Sequence, residues 1–450
     1  MALVDENTPE IIKSELEVFI SQPTQTAIEQ NVWKKYYPIT TLDRSGPLEF
    51  KIVTNENEYL NPSNHFLYTK CRILSDNGTP LATVGDANAT NNDAVVLPIN
   101  YFHATQFKNA EVQLKGKSVT SSDNLYAYRA YLEALLSYEK EVKNEQLFMG
   151  MYEKDTQDFD EHNAADLVRA VARPNTNSGA FKRFNRTKNS NTFECIGRIH
   201  AELFSQPKLL ISGTPLTVKL QRHDQAFSLM AHTATERFTI SIDTAILFVN
   251  QVQVSNELRQ THELAILKTN AKYPIRQVKM KYFTKSAGRT DLSELNLISG
   301  VIPRKIVFGL VHSEGFTGNL HRNPFNFQHF NMQNVVLRIN NTPVPFDNIE
   351  MNFTDGNVAQ GYFVLLHGTN RMYHNQNTDI TLSDFKNGNT LFAFDLTPDM
   401  SNSHFNLLRE GTISLEIKLR EACDHSITIV VYSEYDNVIS IDEQRNVYLD

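Results

Sequence analysis

The segment Lys115-Gly116-Lys117-Ser118 carries residue types that bind phosphate, because Gly-Lys-Ser ends the phosphate-binding loop of many nucleotide hydrolases. That loop also needs a glycine five residues before Gly116, where this chain has Glu111. Without that glycine the backbone cannot wrap around a phosphate, so we predict a hairpin turn here. The chain contains no GxSxG, HExxH or GxGxxG pattern.

Fourteen histidines could supply metal ligands, as two histidines and a carboxylate do in barrel-type dioxygenases. The histidine–carboxylate pairs at 223–224, 262–263 and 424–425 are directly adjacent, and on a strand such side chains point to opposite faces. The cysteines, at positions 71, 195 and 423, are too far apart in sequence for a metal knuckle and too few for a disulfide framework, which favours free thiols. We therefore predict no catalytic residues, no metal site and no cofactor, and expect that the chain is not an enzyme.

A basic run at residues 181–188 is a candidate nucleic-acid contact. It interleaves two phenylalanines with four cations, namely Phe181, Lys182, Arg183, Phe184, Arg186 and Lys188. A solvated loop is the alternative interpretation of the same pattern. The net charge of -8 argues against nucleic acid coating the whole surface, since that needs clustered lysine and arginine.

The elements that must position these residues follow a period of two. Apolar and polar residues alternate at 48–52, 216–220, 238–242 and 413–420, which is typical of strands with one face on a core. Denser apolar runs at 305–311 and 427–432 indicate strands buried on both faces. Turn residues such as Asp76-Asn77-Gly78 separate them. Many short strands with few helices predict an all-β antiparallel sandwich or barrel.

Two segments have helical spacing instead. Residues 121–143, capped by Ser121, Ser122 or Asp123, place Leu125, Tyr128, Leu132 and Leu135 on one face. A second helix is expected from Ser255 or Asn256 to Lys268, with strand patterns on both sides, and marks a domain boundary. We expect an extended arm at 1–35, containing a strand-like piece at 16–20 and the single tryptophan, Trp33, followed by domains at 36–262 and 263–450.

Two long segments lack strand pattern. Residues 149–192 are polar and contain a short helix candidate at 163–172, and residues 312–334 are rich in asparagine and phenylalanine. Such a loop suits a rigid connection between packed elements or subunits, because its amides and backbone groups must satisfy one another. The chain begins without a basic and apolar leader, and no stretch approaches the ~18 apolar residues of a membrane span, so we expect neither.

Four stretches, in order, resemble the major capsid proteins of Polintons (Mavericks) and related adintoviruses. They are residues 124–138, whose sequence is NLYAYRAYLEALLSY, residues 196–203, residues 270–274, and residues 303–311 followed by Asn323-Pro-Phe-Asn-Phe327. The resemblance covers roughly residues 15–345 and weakens towards the C-terminus. One departure is Glu139, where the family pattern has glycine.

The resemblance implies a double jelly roll, two eight-stranded antiparallel β-barrels side by side with a few inserted helices. It implies homotrimers that form pseudo-hexameric capsomers and tile an icosahedral virion shell, with penton and minor capsid proteins as further partners. The loops at 149–192 and 312–334 are then candidates for trimer contacts or an outward turret, and 181–188 for local contact with packaged DNA.

Two other classes of protein stay open at this stage. A jelly-roll binding module, such as a carbohydrate- or receptor-binding spike-like protein, would have aromatic side chains on an exposed face and need not form trimers. A cupin-like enzyme would need a metal.

Overall fold

In the computed structural model, the described residues are 11–19, 21–42, 46–83, 94–168, 174–233, 237–401 and 403–449. Their strands are β1 (Ile28–Tyr36), β2 (Leu48–Ile52), β3 (Glu58–Ser75), β4 (Val96–Pro98), β5 (Phe107–Leu114), β6 (Lys117–Ser118), β7 (Phe193–Gly197), β8 (Leu216–Arg222), β9 (Leu229–Ala231), β10 (Phe238–Val254), β11 (Ala271–Lys285), β12 (Glu294–Val301), β13 (Lys305–His312), β14 (Met332–Ile339), β15 (Thr342–Glu350), β16 (Leu391–Asp395), β17 (Glu410–Leu419), β18 (Ile427–Ile441) and β19 (Val447–Leu449).

The helices of the described residues lie mostly in the connections between strands. They are α1 (Phe102–Thr105), α2 (Tyr126–Ser137), α3 (Lys140–Glu145), α4 (Ala164–Leu167), α5 (Ser178–Thr187), α6 (Glu202–Ser205), α7 (Gln225–Ser228), α8 (Asn256–Ile266), α9 (Ser313–Thr317), α10 (Ala359–Gly368) and α11 (Leu382–Lys386). Short 3-10 helices occupy Ser14–Leu16, Leu147–Gly150 and Lys188–Ser190.

The strands form two barrels with the same topology. In the first half the sheets are β1-β10-β3-β7 and β2-β8-β5-β6; in the second they are β11-β18-β13-β16 and β12-β17-β14-β15. β4 and β9 form a separate two-stranded sheet, and β19 pairs with the edge of β18. Without these three strands each half has eight, and numbering them along the chain gives the order 1-8-3-6 in one sheet and 2-7-4-5 in the other, twice. The neighbouring strands are antiparallel. This is the two-sheet architecture of a jelly roll, so the expected double jelly roll is confirmed.

Burial along the strands follows the sequence pattern. In β2, Leu48, Phe50 and Ile52 are buried while Lys51 is exposed, as one core face requires. Residues 306–311 of β13 and 427–433 of β18 are buried without alternation, so these strands are covered on both faces, as expected. The Lys115-Gly116 segment is the turn between β5 and β6, which confirms the hairpin prediction.

The two expected helices exist, but the first begins later than predicted. α2 starts at Tyr126 and ends at Ser137, and α3 follows after a break at Tyr138 and Glu139. Asp123 does not cap it; its Oδ2 accepts from the Met280 backbone N–H of β11 at 3.0 Å. α8 begins as predicted, with the Ser255 side chain accepting from the Leu258 N–H.

The first barrel begins inside the stretch assigned to an arm. β1 pairs with β10 from Ile28 onwards, so only the residues before Ile28 precede the barrel. The strand expected at 16–20 is wrong for the described part, because Ser14–Leu16 form a 3-10 helix and residues 17–19 are in no strand. Of the helix candidate at 163–172, Ala164–Leu167 is helical as α4, and residues 169–172 lie outside the described part.

Alternating strand direction gives each barrel two ends. At one end, called the insertion end, lie the connections β3–β5, β6–β7 and β8–β10 of the first barrel and β13–β14 and β15–β16 of the second. At the other, the terminal end, lie the entry to β1, helix α8 and the end of β18. The Lys115 Nζ, in the β5–β6 turn, donates to the Gln444 carbonyl at 2.7 Å, which joins the two barrels at the terminal end.

Candidate functional site

The residues that the sequence offered for phosphate or metal binding make structural contacts instead. Lys115 bonds the Gln444 carbonyl rather than facing a loop of backbone N–H groups. His223 stacks on Phe227 with ring centroids 3.6 Å apart, and burial lowers its pKa to about 4. The His262 Nδ1 lies 3.0 Å from the Tyr59 hydroxyl. In the part of the chain that the structure describes, no three metal-binding side chains cluster.

All three cysteines are free thiols. Cys71 and Cys195 are buried free thiols, and burial raises the pKa of Cys71 to about 12, so it stays protonated. Cys423 is a half-buried free thiol. Among the described residues, no helix has the length and apolar character needed to cross a bilayer.

The basic run at 181–188 is not a loop. Residues 178–187 form α5, whose N-terminus is capped by the Asn177 side chain on the Gly179 and Ala180 N–H groups. Arg183 is fully buried, and its Nη2 pairs with the Asp155 carboxylate at 2.9 Å. Lys182 pairs with Glu153 and Arg186 lies over the Phe148 ring. The solvated-loop interpretation is therefore wrong, and Arg183 is unavailable to an outside ligand.

The two barrels meet at a buried aromatic cluster built by α2 and the β13–β14 connection. The Tyr131 and Phe325 rings are stacked 4.2 Å apart, and Tyr128 meets Phe325 edge-on at 5.4 Å. The Tyr128 hydroxyl donates to the Pro324 carbonyl at 3.0 Å. Phe327 is fully buried. The Asn/Phe-rich loop therefore holds packed elements together, as expected, and the elements belong to one chain.

A buried ion network lies beside that cluster. The Arg129 Nη1 of α2 donates to Glu202 Oε1 at 2.7 Å, and the same oxygen accepts from the Val278 N–H of β11. Arg129 also pairs with Glu133, which accepts from His200 Nδ1 at 2.7 Å. Burial alone would raise the pKa of Glu133, but Arg129 and His200 lower it to about 2. The network ties the first barrel to a strand of the second.

The outer face of the first barrel's β1-β10-β3-β7 sheet carries exposed aromatic residues. Trp33 and Phe66 stack with centroids 5.4 Å apart, and they are 44% and 38% exposed. Phe248 pairs directly with both Phe66 and Lys35, and the Lys35 ammonium lies 5.6 Å from its ring centroid. We call Trp33, Lys35, Phe66 and Phe248 the aromatic patch. It is the kind of surface that another macromolecule covers.

An apolar groove of about 520 Å³ lies at the terminal end, between α8 and the start of β1. Its walls include Tyr59, Leu209, Ile211, Val254 and Leu258. Tyr59, Val252 and Val254 form a small buried cluster apart from the main core, with Leu209, Ile211 and Leu258 packed against it.

The segment before β1 carries apolar side chains with no cover. Ile11, Leu16, Val18 and Phe19 are 91%, 71%, 74% and 98% exposed. Sequence reasoning identified the arm and Trp33, but not the groove or the stacking of Trp33 on Phe66. Both depend on residues far apart in the chain, which no local sequence pattern links.

No protein-family model matches the chain. An uncharacterized protein from Caenorhabditis elegans is 26% identical over 435 residues, which span 95% of this chain and 99% of that protein.

Solved structures resemble the chain over nearly its full length at low identity. A chain in the cryo-electron microscopy structure of the Sputnik virophage has a TM-score of 0.62 at 12% identity, covering 100% of this chain and 94% of that chain. The Faustovirus major capsid protein has a TM-score of 0.56 at 9% identity, covering 97% and 93%. The mavirus major capsid protein has a TM-score of 0.54 at 10% identity, covering 100% and 97%. Together with its own strand order, this likeness shows that the chain has the double jelly-roll fold.

Proposed function

We propose that this chain is a major capsid protein, whose copies associate into pseudo-hexameric homotrimers that tile an icosahedral virion shell. The observation that carries the proposal is the duplicated strand order, 1-8-3-6 and 2-7-4-5, in two barrels of one chain. Three such chains around a threefold axis present six similar barrels, so a trimer can pack with hexagonal neighbours. The full-length likeness to two proteins named as major capsid proteins supports this function.

The aromatic patch is our candidate for a contact between subunits in that trimer. An exposed tryptophan and phenylalanine on a flat sheet face are typical centres of protein interfaces, where aromatic residues carry much of the binding energy. The loop at 312–334, a sequence candidate for the same role, has Phe325 and Phe327 fully buried within its own chain, which favours the sheet face over these residues.

The test is multi-angle light scattering of the purified full chain, with negative-stain microscopy of the same fractions. Three chains of 51.3 kDa give about 154 kDa, and triangular or hexagonal particles are expected at that mass. Trp33→Ala should shift the mass towards one chain, while Leu382→Ala, at a side chain 39% exposed in the second barrel, should not. A monomer at high concentration would contradict the proposal.

A second candidate function is favoured by the same aromatic patch. Stacked aromatic side chains on an exposed sheet face are also what a carbohydrate-binding jelly-roll module would present. In that case Trp33→Ala would abolish binding on a glycan array and leave the mass of the particle unchanged, so one variant separates the two functions.

The capsid proposal also includes assignments of origin, of further partners and of the side that faces the interior. The resemblance of four sequence stretches supports a Polinton or adintovirus origin. Penton and minor capsid proteins are proposed as further partners in the shell. We also propose that the arm at 1–35 lies along the inner surface of the shell. If the barrels stand upright in the shell, only one end faces the interior, and α5 with residues 181–188 lies at the insertion end while the arm enters at the terminal end. We favour the arm as the inner element.

A further inference from the structure

We propose that the apolar groove beside α8 is the docking site for residues 11–19 of a second copy of this chain. The inference rests on the proposed self-association and names the contact that a neighbouring arm makes. The groove walls are apolar side chains of β10, α8 and the segment before β8, and its rim carries charged groups. It therefore fits a short, amphipathic peptide rather than a polar ligand.

Residues 11–19 have the composition that such a groove accepts. Ile11, Ile12, Leu16, Val18 and Phe19 supply five apolar side chains within nine residues. All five are more than half exposed, Phe19 by 98%. Covering apolar side chains at this density with another apolar surface removes them from water and so lowers the free energy.

Residues 11–19 do not lie in the groove of their own chain. Ala27 and Ile28 line the groove, and the Ala27 carbonyl accepts from the Ser255 N–H at 2.9 Å, so the arm leaves the barrel at the groove edge. Residues 19 and 27 are eight apart, which allows about 26–29 Å of extended chain. The segment can thus reach beyond its own barrel, and its exposed side chains show that it does not fold back.

Charge also favours this pairing. The first 19 residues contain five acidic residues and one lysine. The groove lining contains Lys208, Lys272 and Arg445 against Glu263. The Lys208 ammonium donates to the Lys272 carbonyl at 2.9 Å, which holds one cation at the rim. An acidic arm is therefore attracted to a cationic rim around an apolar floor.

The test is photo-crosslinking between two differently tagged full-length copies that are expressed together. One copy carries p-benzoylphenylalanine in place of Phe19, and the other copy carries no photoreactive residue. Illumination should give a crosslinked product that both tags retain. Mass spectrometry should map the second site to residues 208–211 or 254–273. Attachment only to the chain's own residues, or to another surface of the second copy, would overturn the inference.

A matched pair of variants in the second copy tests the groove itself. Ala265, an exposed α8 residue that lines the groove, becomes glutamate, which puts an unpaired carboxylate against the acidic, apolar arm. This should lower the doubly tagged product about tenfold. Gln260→Glu adds the same charge at an exposed α8 position outside the groove lining and should change the yield less than about twofold. Equal yields from both variants would refute the docking site.

Light scattering of the same samples separates the two levels of the argument. Trimer-mass particles whose arms crosslink outside the groove overturn only the docking site. A monomeric mass overturns the proposed function as well, since no second copy is then bound.

Discussion

The two barrels share one strand order but differ in what covers the outer face of their equivalent sheets. In the first barrel the outer face of β1-β10-β3-β7 carries the exposed Trp33 and Phe66. In the second, the equivalent face of β13 and β18 carries two directly paired positions, Val307 with Tyr432 and Gly309 with Val430. The side chains of Val307, Val430 and Tyr432 are buried.

The second barrel's face is covered by elements of the insertion end. A Cβ on Gly309 would lie 2.6 Å from the Phe327 ring, so the loop packs directly on the sheet. The Tyr432 hydroxyl donates to Glu434 at 2.7 Å and lies 3.5 Å from Glu133 of α2. One barrel therefore uses this face inside the chain, and the other leaves it exposed. Duplicated topology does not imply duplicated surfaces.

The largest expected effect is the loss of an aromatic side chain from the β13–β14 connection, which covers the second barrel's face. Phe325→Ala should lower the free energy of unfolding by about 3–5 kcal/mol, because it opens a cavity between Tyr128 and Tyr131. Phe66→Ala, at the exposed face of the first barrel, should cost less than about 1 kcal/mol. Denaturant titration of both variants measures the difference. Similar losses would mean that the first barrel's face is also covered within the chain.

The second comparison is between a buried ion pair at the junction of the two barrels and an exposed ion pair on the surface of the first barrel. Arg129→Ala leaves the fully buried Glu202 carboxylate without its ion pair and should cost about 3–5 kcal/mol. Arg72→Ala breaks the exposed pair with Asp243 and should cost at most about 1 kcal/mol. Thermal unfolding of the two variants checks this ratio. A small loss for Arg129→Ala would show that the barrels are held together mainly by the aromatic cluster.

The third effect concerns acid. His65, in β3 of the first barrel, accepts from the Ile199 N–H at Nε2 and contacts the Pro62 carbonyl through Nδ1, both at 2.8 Å. Burial lowers its pKa from 6.5 to about 3, so the folded state favours the neutral ring. The stability that this histidine contributes is complete above pH 6.5 and is lost as the pH falls from 6.5 towards 3.

His65→Gln keeps a donor and an acceptor but cannot take up a proton. Between pH 7.5 and 4.5 its free energy of unfolding should fall by about 2–3 kcal/mol less than that of the unaltered protein. His374→Gln, at an exposed histidine of the second barrel, is the control and should leave the pH dependence nearly unchanged, because an exposed side chain meets water in both the folded and the unfolded state. Equal slopes for the unaltered protein and His65→Gln would contradict the assignment.

The strands of both barrels are predictable from local sequence pattern, whereas the contacts between distant segments are not. Alternation at 48–52 and continuous burial at 305–311 both follow from local pattern, because strand side chains have a period of two. For α2 the sequence predicts only part of the burial. Four apolar residues on one face predict an amphipathic helix, yet Tyr126 and Tyr131, on other faces, are also buried. Phe325, which stacks on Tyr131, lies about two hundred residues away along the chain, and no local signal links the two. The groove was missed for the same reason.

The smallest effect compares the helical insertions that the two barrels carry between their fifth and sixth strands. In the second barrel, Thr381 caps α11 in a capping box with Asp384, at an exposed helix end. Thr381→Ala should cost about 1 kcal/mol, the usual price of one cap. In the first barrel, Asn177 caps α5 while fully buried, and it also donates to the Asp158 carbonyl. Asn177→Ala therefore leaves the Gly179 and Ala180 N–H groups and the Asp158 carbonyl without this partner in a buried site. It should lower the free energy of unfolding by more, about 2 kcal/mol. Denaturant titration distinguishes the two. If both variants lose the same stability, the insertion of the first barrel is no better packed than that of the second, and the contrast between the barrels is confined to their sheets.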